Sequence, residues 1–502
     1  MYSIKNKNNV YTLLLAIIIA VTGCKKLVEI DPPIDTVGPE IVFKTNDNAA
    51  NAIAGLYSYM IYNEDQPCLT NGMMTIGGGL IGDELIPTMG AQDLDAYELY
   101  TNKIRLSNVW INGMFWGPTY KVIYTANSIL EGEAASTSVL LSDSARNQLR
   151  SEARLVRGFS YFYLYNLYGD VPMVTSTDVL AHSAMPRTAI DLVKKQVEED
   201  LLFAYQHLPA NYDVSRGEKI RPSSYTAAAL LARFYLYEKR WADALAMADV
   251  VINSGKFTLA ATNKVFKANS SEAIWQLKLS ANGDKYLQES FYLSPQTDGS
   301  MLSEADLEML FQIDPIILIG LIPNYYLTPS LAGSFENNDL RKKDWIRSLK
   351  MPNIEPYNGI TYSWPVKHPR LDPETYDVFK PYYTVVRFAE LYLISAEAKA
   401  QSGDLSGAIT DLNTIRSRAG LNGTTATGKE DLLTAILKER RVEFFAEWGH
   451  RWFDLKRTEK SATVLGSLTQ KQPWSDHSLL LFIPTADIKA DPNLKQNPGY
   501  SY

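Results

Sequence analysis

The stretch ERRVEFFAEWGHRWFDLKR, residues 439–457, is the strongest local signal in the sequence. Three glutamates spaced four residues apart share one face of a predicted helix: Glu439, Glu443 and Glu447. Gly449 is expected to end that helix, and the arginines and aspartate that follow it are expected to begin a second one. Because arginine pairs with carboxylates through two parallel hydrogen bonds, this pattern predicts an ionic network that links two helices rather than a catalytic site.

Apolar residues recur at three-to-four spacing over much of the chain between residues 46 and 255. This period predicts amphipathic helices over 48–62, 110–131, 144–168, 190–208 and two segments between 223 and 253. Helices are expected to resume at Arg387, and residues 479–502 are expected to be mainly extended. The chain is therefore predicted to be mostly α-helical.

Two predicted helix pairs repeat a pattern of small residues. Ala232 and Ala244 lie twelve positions apart, and so do Ala396 and Ala408. Small residues at this spacing let antiparallel helices approach closely, as they do in tetratricopeptide units. Strict 34-residue copies are absent, so the sequence predicts a degenerate array of repeats. Its main role would be that of a scaffold, and its second role would be to present a binding face.

Residues 283–383 differ from the rest of the chain because they hold ten of its 24 prolines. Proline breaks helices and is excluded from central strands, so this segment is predicted to be a loop-rich excursion. It is also rich in tyrosine and tryptophan, which argues against disorder. Long loops inside compact proteins are usually functional, so the excursion is a candidate for ligand binding.

The N-terminus has the pattern of a secretory signal. Two lysines precede an apolar run over 10–21, which is too short for the roughly 20 residues that span a bilayer. The following Val-Thr-Gly-Cys resembles the bacterial lipobox, which implies that residues 1–23 are removed and that Cys24 carries lipid. Residues 24–45 lack a hydrophobic period and are predicted to be a tether.

The charge of the chain narrows the classes of partner. The formal net charge is −7, and loss of two lysines with the leader makes it −9. A negative surface argues against nucleic acid or an anionic membrane as the ligand. Cys68 is the one cysteine left besides Cys24, so no intrachain disulfide is expected and the fold depends on its hydrophobic core.

Motifs of known catalytic chemistry are absent from the sequence. The five histidines are scattered, no HExxH or GxSxG occurs, and Gly77–Gly79 lacks the lysine of a phosphate-binding loop. No catalytic residue, cofactor or metal is therefore predicted. A carboxylate pair for glycoside hydrolysis stays open, whereas the acids at Asp93 and Asp95 lack EF-hand spacing for calcium.

The 439–457 stretch resembles the signature of the SusD/RagB family of Bacteroidetes outer-membrane lipoproteins. Further stretches resemble the same family in the same order along the chain: 116–127, 152–172, 387–398, 415–421 and 483–500. Together they span nearly the whole mature chain, although each is only moderately specific.

This resemblance implies a mostly α-helical fold with about four tetratricopeptide-like helix pairs, in an N-terminal region of residues 46–270 and a C-terminal region of residues 271–502 packed on it. It also implies a non-catalytic protein, anchored by lipid in the outer membrane and facing the exterior. Such a protein would cover a TonB-dependent SusC-like transporter. Family members capture oligosaccharides, and some capture peptides instead, so both ligand classes stay open.

A sugar site needs flat aromatic platforms beside polar groups that bind hydroxyls. Two regions from which the family draws its sites offer them, and several of their residues are expected to line one concave surface. The candidates in the first region are Asp83, Tyr97, Tyr100, Trp110 and Asn112. The candidates in the proline-rich excursion are Tyr286, Tyr325, Tyr326, Trp345, Tyr357, Tyr362 and Trp364.

Overall fold

The structure is a computed structural model that describes residues 38–62, 67–279, 288–368 and 382–500. The predicted leader, Cys24, most of the tether and Tyr286 lie outside these residues. Within them, no helix has the length and apolarity that crossing a bilayer would require.

The first part of the chain is built almost entirely from helices. They are α1 (Pro39–Val42), α2 (Asn46–Tyr62), α3 (Met73–Ile81), α4 (Leu94–Thr101), α5 (Trp116–Ala135), α6 (Asp143–Tyr168), α7 (Val179–His182), α8 (Ile190–His207), α9 (Ser224–Tyr237) and α10 (Trp241–Ile252). Strands β1 (Leu85–Pro87) and β2 (Ala273–Lys278) complete this part. The helices predicted from the three-to-four spacing are confirmed to within a few residues, with the predicted start at residue 110 met by a π-helical turn, Ile111–Phe115, that leads into α5.

The second part alternates short helices and strands before it returns to long helices. The helices are α11 (Gln288–Leu293), α12 (Glu304–Ile313), α13 (Pro329–Ala332), α14 (Leu340–Trp345), α15 (Phe388–Ser402), α16 (Leu405–Arg418), α17 (Lys429–Phe444), α18 (His450–Arg457), α19 (Ser461–Leu465) and α20 (Thr485–Ala490). The strands are β3 (Tyr325–Leu327), β4 (Ile346–Lys350), β5 (Thr361–Pro365) and β6 (Tyr382–Arg387). They form antiparallel pairs, β1 with β3, β2 with β6 and β4 with β5.

The long helices pack in series, each against the next: α5, α6, α8, α9, α10, α15 and α16. The small residues predicted to allow close helix approach are fully buried within the pairs α9–α10 and α15–α16: Ala232, Ala244, Ala396 and Ala408. This series is the predicted helical scaffold. The count of four tetratricopeptide-like pairs stays a prediction.

Helix α3 is the main helix that the sequence did not predict, because it contains three consecutive glycines. Every residue of α3 is buried. A Cβ atom added at Gly78 would lie 2.7 Å from the Cα atom of Gly449, so glycine is required where α3 meets the turn before α18. The glycines that lower helix propensity here are the ones that permit this close contact.

The proline-rich excursion is more ordered than a set of loops. Its helices and strands enclose a local hydrophobic core that is separate from the main one. The buried members of this local core are Leu307, Leu318, Leu321, Leu349, Met351, Tyr357, Tyr362 and Trp364. Within the described residues, the predicted loops alternate with helices and strands that are too brief to show a hydrophobic period.

The two helices predicted within residues 439–457 exist, but their boundary differs from the prediction. Helix α17 ends at Phe444, and Gly449, with φ of +70°, precedes α18 instead of ending α17. Glu447 therefore lies in the link between the helices and does not share the helix face of Glu439 and Glu443. The backbone turns sharply in this link, which brings its side chains toward the interior.

The predicted ionic link between these helices is confirmed. The Nε atom of Arg440 in α17 donates to the carboxylate of Asp454 in α18 at 2.8 Å. A second centre surrounds Arg387, whose guanidinium donates to Glu272 at 2.8 Å, Glu443 at 2.6 Å and Glu447 at 2.8 Å. All these side chains are buried, so the motif ties α17, α18, β6 and the residue that precedes β2 together from the inside.

Both ends of the described chain pack more closely than the sequence suggests. The last part of the predicted tether forms α1, and Phe43 is buried against Gly132 of α5. At the other end, residues 479–500 contain α20 and two turns between stretches that belong to no helix or strand, so the prediction of a mainly extended segment misses this helix. Asn497 holds this end in place by donating to the carbonyl oxygens of Tyr168 and Leu481 at 2.9 and 2.7 Å.

Candidate ligand-binding site

A short two-stranded ribbon joins the two regions in which the sequence predicts ligand contacts. Strands β1 and β3 pair antiparallel, with Ile86 opposite Tyr326. Just beyond the ladder, the hydroxyl of Thr88 donates to the carbonyl oxygen of Pro323 at 2.6 Å, across 235 residues of sequence. The first candidate region and the proline-rich excursion are therefore neighbours in space.

Half-exposed tyrosines gather beside this ribbon: Tyr97, Tyr100 and Tyr326. The rings of Tyr97 and Tyr100, both on α4, have centroids 6.1 Å apart, and the ring of Tyr326 packs edge-on against Tyr362 at 4.9 Å. Burial raises the pKa of Tyr326 to about 12, and the nearby hydroxyls of Tyr362 and Tyr100 add to the rise. We call these three half-exposed side chains, together with the buried Tyr362 that supports Tyr326, the tyrosine surface.

The other side of β3 supports the ribbon from within. Successive residues of a strand point to opposite sides, so Tyr325 is buried where Tyr326 is half-exposed. The hydroxyl of Tyr325 donates to Asp93 at 2.7 Å, and its ring lies 5.9 Å from Trp110 and 5.5 Å from Tyr292. Trp110 and Tyr325 thus support the loop that carries α4. Both are buried, so they do not belong to the exposed part of the tyrosine surface.

Lys471 fixes the helix that carries two of the tyrosines. Its side chain is buried, and its ammonium donates to the carbonyl oxygens of Leu80 and Ile81 at 3.0 Å and of Tyr100 at 2.7 Å. These carbonyls end α3 and α4, where backbone acceptors lack partners within the helix and a cation is favourable. The sequence analysis missed this residue, because nothing local marks a single lysine so far along the chain.

A pocket of about 380 Å³ opens elsewhere, between α10, α15, α17 and the end of α18. Four of its six charged lining residues pair with one another, Lys239 with Glu459 at 2.6 Å and Arg457 with Glu397 at 2.7 Å, and the other two, Glu430 and Lys460, are exposed. Its aromatic residue, Trp241, is half-buried in the helix pair. Because the pocket offers a single aromatic residue and most of its charges are already partnered, we take the tyrosine surface, and not this pocket, as the candidate site.

Two family models match separate parts of the chain. One, described as the SusD family, matches residues 338–500, and one described as starch-binding associating with outer membrane matches residues 83–236. The chain belongs to the SusD family. The family resemblance found in the sequence is thereby confirmed.

Relatives of this SusD-family chain align over most of its length. SusD-like protein P2 of Formosa agariphila is 25% identical to it and covers 97% of this chain and 98% of its own. A SusD-like protein of Bacteroides ovatus is 24% identical over 83% of this chain and 76% of its own. The alignment is therefore with whole proteins and not with one shared domain.

Solved structures confirm the predicted SusD-like, mostly α fold. A laminarin binding SusD-like protein superposes with a TM-score of 0.72 at 23% identity, covering 91% of this chain and 100% of its own. Surface glycan-binding protein A from Bacteroides uniformis gives a TM-score of 0.73 at 20% identity, covering 90% and 99%. At these identities the likeness concerns the fold alone.

In this SusD-family chain, two of the polar side chains predicted to bind ligand are used internally. Asp83 is buried, and its carboxylate accepts from Arg451 at 2.7 Å and lies 2.8 Å from Arg441. Burial raises the pKa of Asp83, but the arginines outweigh it and hold the pKa below its usual value. Asn112 donates to the carbonyl oxygens of Leu106 and Asn108. Both groups therefore have structural partners, and their contact with a ligand stays a prediction.

The predictions for four aromatic residues of the excursion are corrected. Trp345 and Trp364 are each 1% exposed, and Tyr357 and Tyr362 are each 6% exposed, so their rings have no free face for a ligand. Trp345 belongs to the main core, where its indole N–H donates to the carbonyl oxygen of Thr262 at 2.7 Å. Trp364 and Tyr357 belong to the local core of the excursion.

The acidic loop before α4 is also used for structure. The Asp93 carboxylate accepts from the backbone N–H of Ala96 at 3.4 Å, and that of Asp95 accepts from the N–H of Val109 at 2.9 Å. Across the described ranges, no three potential metal-ligating side chains come together. Both carboxylates therefore orient the loop that holds α4.

Glu84, next to Asp83, is a buried carboxyl that makes stability depend on pH. Burial raises its pKa to about 8, and the negative charge of Asp83 adds to the rise. In the unfolded chain the same carboxyl titrates near 4.5. The folded state therefore binds the proton more tightly, so this group's contribution to stability falls as pH rises from about 4.5 to about 8.

We expect Glu84→Gln to remove this dependence, because glutamine keeps the shape and does not ionise. The slope of the unfolding free energy against pH should change by about 1.4 kcal/mol per pH unit between pH 5 and 8, relative to the wild type. Urea denaturation at several pH values measures it, with Glu430→Gln as an exposed control. Parallel slopes for wild type and Glu84→Gln would contradict the assignment.

Proposed function

We propose that this chain is a lipid-anchored surface protein that captures oligosaccharides and delivers them to a TonB-dependent SusC-like transporter of the outer membrane. The observation that carries the proposal is the tyrosine surface, formed where the β1–β3 ribbon joins two distant regions of the chain. Under this proposal the protein is a binding protein without catalytic activity of its own.

Half-exposed tyrosines suit a sugar ligand for a physical reason. A pyranose ring presents an apolar C–H face, which packs on an aromatic ring, and hydroxyl groups at its edge, which need hydrogen-bonding partners. Tyrosine offers both a flat ring and a hydroxyl, and its few rotatable bonds mean that little rotamer entropy is lost on binding. Tyr97, Tyr100 and Tyr326 would stack on the ligand, while Tyr362 holds the ring of Tyr326 edge-on.

The relatives support the same ligand class. Two solved structures of similar fold are a laminarin binding SusD-like protein and a surface glycan-binding protein. We place the lipid anchor at Cys24. One of the two matching families is described as associating with the outer membrane, which supports an outer-membrane location for this chain. Capture and delivery would then take place at the cell surface.

The test is a glycan array probed with the mature protein in parallel with an oligopeptide library. We expect binding to oligosaccharides and none to peptides. We also expect oligosaccharides incubated with the protein to keep their length, because only binding is proposed.

Two results would overturn the proposal, each in a different way. Binding confined to peptides would make the chain a peptide-capturing member of the family. Shortened oligosaccharides after incubation would instead show a glycoside hydrolase.

A further inference from the structure

Seven of the nine tryptophans of the chain are buried, and the two half-buried ones have different surroundings. Trp241 lines the 380 Å³ pocket among charged side chains. Trp474 lies in a short segment, residues 472–477, whose other members are all exposed. We call this segment the tryptophan loop. A tryptophan that is not fully covered is typical of surfaces on which another molecule packs.

The tryptophan loop is fixed at both ends to α4, the helix that carries Tyr97 and Tyr100. Just before the loop, the ammonium of Lys471 donates to the carbonyl oxygen of Tyr100 at 2.7 Å and lies 5.7 Å from the centroid of the Tyr100 ring. Just after the loop, the hydroxyl of Ser478 donates to the carbonyl oxygen of Asn102 at 3.2 Å. Both acceptors lie at the end of α4, so the loop borders the tyrosine surface there.

The distance from the tyrosine surface to Trp474 is short. Trp474 follows Lys471 by three residues, and an extended chain advances at most about 3.6 Å per residue, so their Cα atoms are within about 11 Å of each other. An oligosaccharide is a chain of rings. A ligand that covers Tyr97 and Tyr100 and continues past the end of α4 therefore reaches the tryptophan loop.

The tryptophan loop offers both kinds of group that a sugar ring needs. The indole of Trp474 is a flat apolar platform, and its N–H donates to the carboxylate of Asp476 at 2.9 Å in a solvent-exposed hydrogen bond. The carboxylate has further lone pairs with which to accept from sugar hydroxyls. Sugar stacking and hydroxyl binding are thus available side by side.

The side chains of the tryptophan loop are held in place by the protein itself. Trp474 packs partly against the main core. The Oγ atom of Ser475 and the Nδ1 atom of His477 are hydrogen-bonded at 2.6 Å, and the His477 ring packs edge-on against Tyr500 at 5.6 Å. Groups that are ordered before a ligand arrives lose less entropy when it binds.

We propose that the tryptophan loop is a second sugar-binding subsite, which holds the part of an oligosaccharide that extends beyond the tyrosine surface. This proposal rests on the proposed function, because it requires an oligosaccharide at the tyrosine surface. Trp474 stacks on one sugar ring, and Asp476 accepts from the hydroxyls of that ring. The loop makes the protein prefer longer oligosaccharides to shorter ones of the same linkage.

The test is calorimetric titration with two oligosaccharides of one linkage from the glycan array: the shortest that binds and a longer one. The wild type should bind the longer one more tightly. Trp474→Ala should weaken binding of the longer one about fivefold, the loss of one stacked ring, and leave binding of the shortest unchanged. Trp474→Phe should restore most of the affinity, because a flat ring remains.

Two further variants separate binding from folding. Asp476 is exposed, so Asp476→Ala should fold normally and should also weaken only the longer ligand. Trp241→Ala is the matched control, since it removes the other half-buried tryptophan, and it should change the affinity for neither ligand.

Three results would overturn the subsite. Wild-type affinity of Trp474→Ala for the longer ligand would do so and leave the proposed function standing. Equal weakening of both ligands, or equal affinity of the wild type for both, would show that the loop does not recognise ligand length, again without touching the proposed function. Absence of oligosaccharide binding by the wild type would overturn the subsite and the proposed function together.

Discussion

Glu443→Gln is expected to destabilise the folded protein by about 3–5 kcal/mol, the largest effect of a single substitution that we predict. The Glu443 carboxylate is fully buried and accepts from Arg387 at 2.6 Å and Arg341 at 2.9 Å, and it also contacts Arg418. A neutral amide would leave three buried guanidinium groups short of a counter-charge. The cost comes from those uncompensated charges and not from the loss of one favourable pair.

The destabilisation caused by Glu443→Gln should have its full size at neutral pH. Burial on its own would raise the pKa of Glu443, but Arg418, Arg387 and Arg341 together hold it well below the usual value. The carboxylate therefore stabilises the fold above its unfolded pKa, and this contribution is lost only as pH falls through the lower folded pKa. The difference between wild type and Glu443→Gln should thus shrink only in acid.

Urea denaturation followed by circular dichroism measures this difference. Glu430→Gln is the matched control, because Glu430 is exposed in the first turn of the same helix and should change stability by less than about 1 kcal/mol. An unfolding free energy of Glu443→Gln equal to that of the control would contradict the view that residues 439–457 form the ionic centre of the fold.

The combined variant Tyr97→Ala, Tyr100→Ala and Tyr326→Ala is expected to weaken oligosaccharide binding about 100-fold. Each ring that stacks on a sugar is expected to contribute about 1 kcal/mol, by analogy with aromatic pairs, and three such contributions make about two orders of magnitude in Kd. Calorimetric titration with the tightest-binding glycan from the array measures the change. The three rings are half-exposed, so their truncation should affect stability less than truncation of a buried ring.

Tyr124→Ala provides the control for this variant. Tyr124 is 47% exposed on α5, and it is not part of the tyrosine surface. Its replacement should leave the affinity unchanged. Wild-type affinity in the triple variant would show that the glycan binds elsewhere.

The scaffold was predictable from the sequence because long amphipathic helices carry their period locally. Helix α6, for example, shows apolar residues at three-to-four spacing over most of its length. Helix α3 escaped prediction because its glycines are explained by tertiary contacts, such as that between Gly78 and Gly449, which are far apart in the chain. Local patterns report local structure, and that contact is not local.

The candidate site was predictable as a pair of regions but not as a set of side chains. Tyr325 and Tyr326 are adjacent, yet one is buried against Asp93 and the other is half-exposed. Which of the two points outward depends on the pairing of β3 with β1, which no local pattern reveals. For the same reason the sequence could not show that α4 lies beside the excursion.

The buried tryptophans of the excursion show a second limit. A run rich in proline and aromatic residues suggested loops with exposed rings, but Trp364 and Met351 lie in a local core. The elements around them are short, so their apolar residues recur too few times to reveal a period. The exposure of Ile313, Ile316 and Ile319 was not predicted either, because aliphatic residues are expected inside a protein.

The central claim is that an oligosaccharide binds at the tyrosine surface beside the β1–β3 ribbon. Hydrogen–deuterium exchange of the intact protein, with and without the glycan selected from the array, tests it most directly. The claim predicts that glycan slows exchange in α4 and in the backbone around Tyr326 and Tyr362. Slowed exchange around Trp241 and residues 457–460, with none at the ribbon, would contradict it and move the site to the 380 Å³ pocket.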